Sequence, residues 1–186
     1  MSTITSADLP NIELLAGFRP DELEQFATQL NSREFAAADM VFSIGDTTRS
    51  LYVILRGRVA IDLVGQVVDR TELAELGPRD VFGETTFFHA AAHNATARCL
   101  DATRIAELPY ATYERLLKSD SAMAYHLGAN AAHILAARLQ ATDKWIRDVL
   151  DRDEETHRRG LREQYHSTFF PKFTTLTGFI GLGVNR

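Results

Sequence analysis

The sequence predicts an α+β fold that is mainly β, an antiparallel β-roll or jelly-roll barrel with an N-terminal helix before it and a long C-terminal helix after it. Three observations predict it. From Met40 to Leu108 apolar residues recur with a period of two, and turn residues interrupt the runs about every eight to twelve positions. On both sides of that stretch the period becomes helical. A length of 186 residues with 45% hydrophobic content fits one sizeable core with appendages better than two full domains.

The helical signals come first. Ser6 or Asp8 caps a turn around Pro10, ahead of Ile12, Leu14 and Leu15. Pro20 followed by Asp21 and Glu22 marks a helix start, because proline suits the first helical position and acids suit the first turn. Leu23, Phe26, Ala27 and Leu30 then repeat at helical spacing. The N-terminal helical segment is assigned to residues 1–35.

The roll is assigned to residues 36–110. Met40-Val41-Phe42 leads to a Gly45-Asp46 turn. Leu51, Val53 and Leu55 alternate with Tyr52 and Ile54, Gly57 breaks the run, and Val59, Ile61 and Leu63 resume it. Gly65-Gln66 has the form of a two-residue hairpin turn. Val67 to Leu76 returns, and Gly77-Pro78 ends that strand. In Asp80 to Phe88 an apolar strand end meets Gly83, and Glu84 opens a short helix-compatible run. That arrangement gathers unpaired N–H groups and a carboxylate around one concave spot, which suits a ribose joined to a phosphate. From His93 to Arg98 an extended strand would turn His93, Ala95 and Ala97 to one side and Asn94, Thr96 and Arg98 to the other.

Residues 111–150 are helical in pattern. Tyr113, Leu116 and Leu117 belong to a short helix, and Ser119-Asp120-Ser121 caps a long one reaching about Leu150. Met123, Leu127, Asn130, Ile134, Ala137 and Ala141 follow alternating four- and three-residue steps, a coiled-coil seam. The stripe outlasts what the roll needs, so a homodimer through this helix is expected; packing against its own roll is the alternative. In residues 151–186 a charged extension precedes an apolar tail containing Phe169, Phe170 and Phe173. That tail is expected to dock on a protein partner or on its own roll, ahead of a membrane surface.

Composition excludes several functions. A net charge of −5 provides no global basic field for nucleic acid or an anionic membrane. The single cysteine, Cys99, permits no intramolecular disulfide and reads as a small core residue. No basic-then-apolar leader and no run of about 18 apolar residues is present, so a cytoplasmic protein without a membrane span is expected. Without a Ser-His-Asp context, a P-loop or a dinucleotide fingerprint, the chain reads as a non-enzyme that requires no cofactor. His126 and His133 share a helix face, but with no compact third ligand no metal or haem site is expected.

Phe82-Gly83-Glu84 and Ala95-Thr96-Ala97-Arg98 resemble the phosphate-binding cassette of cyclic-nucleotide-binding domains, as in catabolite-activator-type regulators and protein kinase A regulatory subunits. Ile44-Gly45-Asp46 and Leu51 to Val59 are similar to that family's glycine turns and hairpin, and the similarity covers about residues 12 to 150. The resemblance implies that the glycine and neighbouring amides meet the cyclic phosphate and that the glutamate takes the ribose 2′-hydroxyl. An arginine followed by a small residue clamps the phosphate. Here the arginine position falls on His93, nine residues after Glu84, and the next on Asn94. Candidate ligand contacts are therefore Phe82, Gly83, Glu84, Thr85, His93 and Asn94.

A histidine supplies one contact and is largely neutral at pH 7, whereas an arginine supplies a charged fork. Arg98 would face the wrong side to replace it. The pocket thus reads as a site for cAMP or cGMP, for a different small ligand, or as an empty structural pocket. In the resembled family the long helix pairs subunits and closes over the base, which makes Asn130 a possible lid or register residue. Regulators of that family continue into a helix-turn-helix domain of about seventy residues. No such pattern follows Leu150, so direct DNA binding is not expected. The expected function is a non-enzymatic regulatory module that senses a cyclic nucleotide and signals through the long helix to a partner. The alternative is a ligand-independent scaffold with a degenerate pocket.

Overall fold

A computed structural model describes residues 3–63, 71–119 and 121–152. The Gly65-Gln66 turn, residues 67–70 of the returning strand, and residues 153–186 with the apolar tail lie outside the described residues. The chain divides into two units, Met1–Ala137 and Arg138–Arg186.

Within the first unit, single-turn 3-10 helices at Ser6–Asp8 and Glu13–Leu15 precede helix α1, Pro20–Ala27. The first turn is capped at Thr5, whose N–H donates to Asp8 Oδ2 at 2.9 Å. Pro20 opens α1 as expected, and the Glu22 carboxylate accepts the Arg19 N–H at 2.8 Å. Phe26 and Ala27 are buried on its inner face.

Among the described residues eight strands follow: β1 Asn31–Phe35, β2 Met40–Phe42, β3 Ser50–Arg56, β4 Val59–Leu63, β5 Thr71–Leu76, β6 Val81–Phe82, β7 Thr96–Cys99 and β8 Thr103–Pro109. All their pairings are antiparallel. They form two four-stranded sheets, β1-β8-β3-β6 and β2-β7-β4-β5, so the roll is an open pair of sheets rather than a closed barrel.

Strand β3 explains the arrangement. Leu51 and Val53 join a cluster with the N-terminal turns and the helices, whereas Tyr52 and Ile54 join Phe42, Val59 and Phe82 in a second cluster. Both faces are covered, so an alternating strand is buried almost throughout. Each such fully buried side chain contributes about 1.5–3 kcal/mol relative to exposure. Gly57 ends the run at φ +88°, where a Cβ would lie 2.5 Å from Thr103 Oγ1. Cys99 is fully buried in β7, and burial pushes its thiol pKa up.

Helix α2 is Glu84–Phe88, α3 is Tyr110–Lys118 and α4 is Ala122–Arg152. Met123, Leu127 and Ile134 of the expected seam are buried in the same cluster as Leu14 and Phe26, so this part of the stripe is covered by the chain itself. Ala137 is exposed. In the second unit, Leu139 and Trp145 are exposed at 52% and 65%. Among the described residues no helix is long and apolar enough to cross a membrane.

Candidate functional site

The site is built where β6 hands over to α2. Gly83 sits between them at φ +82°. A Cβ there would lie 2.7 Å from the Ser50 carbonyl oxygen and 2.8 Å from the Tyr52 ring, so the backbone comes closer to β3 than any side chain allows. Glu84 opens α2 and is buried at 6% exposure. Thr85 is exposed, and its carbonyl accepts the His89 N–H at 3.0 Å. Phe82 is turned into the core between the sheets, with its ring stacked on Tyr52 at 5.1 Å.

His93 reaches the same place from the other side. Its N–H donates to the Asp46 carbonyl and its own carbonyl accepts the Gly45 N–H, each at 2.8 Å, so the Gly45-Asp46 turn holds its backbone. The ring is 5% exposed as a residue and stacks on Phe42 with centroids 3.7 Å apart and planes 14° from parallel. Its Nε2 lies 3.0 Å from the Thr48 carbonyl oxygen. A carbonyl only accepts, so Nε2 carries the hydrogen. The Thr48 and Thr86 hydroxyls lie 3.2 and 3.4 Å from the same nitrogen. Burial lowers the imidazole pKa, opposed by the Thr48 hydrogen bond and the Asp46 charge. The ring is neutral near pH 7.

Arg98 and Arg49 each have partners of their own. Arg98 of β7 donates Nε to Asp62 Oδ2 at 3.1 Å, and the Asp62 side chain is only 2% exposed. Arg49 donates Nη2 to the Phe87 carbonyl at 2.8 Å, at the end of α2, and its guanidinium lies 3.5 Å over the Tyr110 ring.

Gly83, Glu84 and His93 are thus brought to one locus, and Asn94 beside His93 is exposed. The expected strict alternation from His93 does not hold. Strand β7 begins only at Thr96, which is buried with its hydroxyl accepting the Ile44 N–H at 3.0 Å. Asn130 is bonded to another part of the chain: its amide donates to the Leu14 and Ala16 carbonyls at 2.9 and 2.8 Å. Among the described residues no group of three or more metal-ligating side chains occurs. Sequence reasoning missed Phe42, Thr48 and Thr86 as neighbours of the imidazole. Thr48, just past the glycine turn, and Thr86, two residues into α2, were the available signals.

Comparison with known proteins agrees with this geometry. Residues 32–120 match the family model described as cyclic nucleotide-binding domain. The chain is 29% identical over 148 residues to the cyclic AMP receptor protein of Thermus thermophilus, covering 78% of this chain and 65% of that protein. It therefore spans less than two thirds of the length of that curated relative. The crystal structure of the Thermus thermophilus catabolite activator protein superposes with a TM-score of 0.67 at 25% identity, over 75% of this chain and 63% of that one. A regulatory subunit of a cAMP-independent protein kinase A from Trypanosoma cruzi, bound to guanosine, gives 0.55 at 25% identity, over 60% and 40%.

Proposed function

We infer from the match of residues 32–120 to the cyclic nucleotide-binding domain model that the chain is a non-enzymatic regulatory module. The ligand is cAMP or cGMP, held at Phe82, Gly83, Glu84, Thr85, His93 and Asn94. Occupation shifts the cassette and the long helix, and a homodimer paired through that helix passes the change to a protein partner at the tail. An effector acts only by binding two states unequally, and the cassette is where the difference arises. The observation that carries this reading is Gly83: a left-handed glycine packed against β3 too closely for any Cβ, with a buried glutamate immediately after it. The similarity to regulators rather than catalysts supports the absence of chemistry.

A second reading takes an uncharged nucleoside at the same locus. A neutral His93 and two engaged arginines favour it, because a phosphate buried without a cation keeps its desolvation cost. The guanosine-bound Trypanosoma cruzi subunit supports it.

Calorimetric titration with cAMP, cGMP, adenosine and guanosine tests both, with Glu84→Ala as the control. Binding of a cyclic nucleotide that Glu84→Ala weakens by roughly tenfold, the loss of a charge-assisted hydrogen bond, supports the first reading. Binding of nucleosides alone supports the second. No binding by any of the four overturns both and leaves a ligand-independent scaffold.

A further inference from the structure

Away from the cassette, a cavity of about 570 Å³ opens between the first turn of the chain and the end of the β1-β8-β3-β6 sheet. Three arginines from three elements line it. Arg56 ends β3, Arg104 lies opposite it in register on β8, and Arg79 sits in the turn between β5 and β6. Asp8 and Glu34 are its acids. Asp8 is paired with Arg104 at 3.1 Å, and Arg104 also donates to Ser32 Oγ and the Thr3 carbonyl. Arg56 and Arg79 are exposed, and among the described residues neither guanidinium has an ion-pair or hydrogen-bond partner.

Two features make this more than a solvated surface. Like charges directly opposite on neighbouring strands are destabilising, yet Arg56 and Arg104 occupy such a pair. Arg79 adopts φ +80°, a region that disfavours side chains, and its N–H is fixed to the Ile54 carbonyl at 2.8 Å. Leu55 and Pro78 supply an apolar wall beside the guanidiniums.

We propose that this cavity is a second binding site, for a small ligand carrying a phosphate or carboxylate on an apolar body. Arg56 and Arg79 grip the anion, and Arg104 stays with Asp8 as the fixed side of the site. Guanidiniums suit this task because their planar forks match both phosphate and carboxylate oxygens. The site is separate from the cassette: its lining does not include Gly83, Glu84 or His93.

The test uses the full chain with inorganic phosphate and with citrate, against chloride at equal ionic strength. Phenylglyoxal modification of each arginine is followed by mass spectrometry. At ten times the dissociation constant of the anion, modification of Arg56 and Arg79 slows by roughly tenfold, while exposed Arg147 reacts unchanged. Protection by phosphate alone marks a phosphate ligand, by citrate alone a carboxylate, and by both the shared anion chemistry. In parallel, thermal midpoints are compared for the natural chain and Arg56→Gln with Arg79→Gln, which removes the site while keeping the general salting effect of phosphate. A larger anion-dependent rise in the natural chain supports the site. Equal rises together with equal modification rates in phosphate, citrate and chloride overturn it.

Discussion

The His93 imidazole lies stacked on the Phe42 ring, 3.7 Å between centroids and 14° from parallel. The side chain at the expected clamp position is therefore a buried, neutral part of the core edge, and under the proposed function this governs the response to pH and to ligand charge.

Stability should fall on mild acidification through this residue. Burial lowers the folded-state pKa of His93 from its ordinary 6.5. The unfolded chain consequently binds the proton first, and the stabilisation is complete above the unfolded value of about 6.5 and is lost as pH falls through the folded value. His93→Gln should flatten the dependence of unfolding free energy on pH between about pH 5 and 7. Urea titrations of both proteins across that range measure it; parallel slopes would contradict the burial of a neutral ring.

Gly83→Ala should be destabilising by at least about 2 kcal/mol, combining a left-handed backbone with a Cβ 2.7 Å from the Ser50 oxygen. The Gly45→Ala change has no atom within 4 Å of its Cβ and only the backbone cost remains. The difference between the two in chemical denaturation isolates the close approach of the cassette to β3.

Asn130→Ala should cost about 1–3 kcal/mol, because two backbone carbonyls of the N-terminal segment lose their donor. Hydrogen exchange at Leu15, Ala16 and Phe18 should accelerate by roughly tenfold. Unchanged exchange there would show that the amide does not anchor the segment.

Arg98→Leu removes the guanidinium from the nearly inaccessible Asp62. A cost of about 3–5 kcal/mol is expected, and the double change with Asp62→Asn should cost less than the single one. Ligand affinity at the proposed site should stay the same in any variant that folds, since Arg98 is paired with Asp62.

Much of the fold was legible because its signals are local. Pro20 with its two acids, the alternation in Leu51 to Leu55 and the glycine between Phe82 and Glu84 each act through their immediate neighbours. The long helix was harder: one apolar stripe looks the same whether it covers the chain's own core or a twin. Leu127 and Ile134 face the core, and Asn130 is tied to Leu14 and Ala16, more than a hundred residues away in sequence. At the candidate site, the resemblance pointed to Gly83, Glu84 and His93, which lie at one locus. Residue types alone did not show that Phe82 belongs to the inter-sheet core or that Phe42 and Thr48 enclose the imidazole. Those relationships depend on register between β2, β3, β6 and β7.

The most direct test is thermal unfolding with cAMP or cGMP at pH 6 and pH 7.5, for the natural chain and His93→Arg. Ligand at a hundred times its dissociation constant adds about 2.7 kcal/mol and raises the midpoint by roughly 5–10 °C. An anionic phosphate beside the imidazole raises its pKa, so binding and protonation support each other. The natural chain should therefore respond more at pH 6 than at pH 7.5, and His93→Arg should respond at both. A response independent of pH in the natural chain would contradict the histidine clamp, and silence from both proteins would contradict the sensing role.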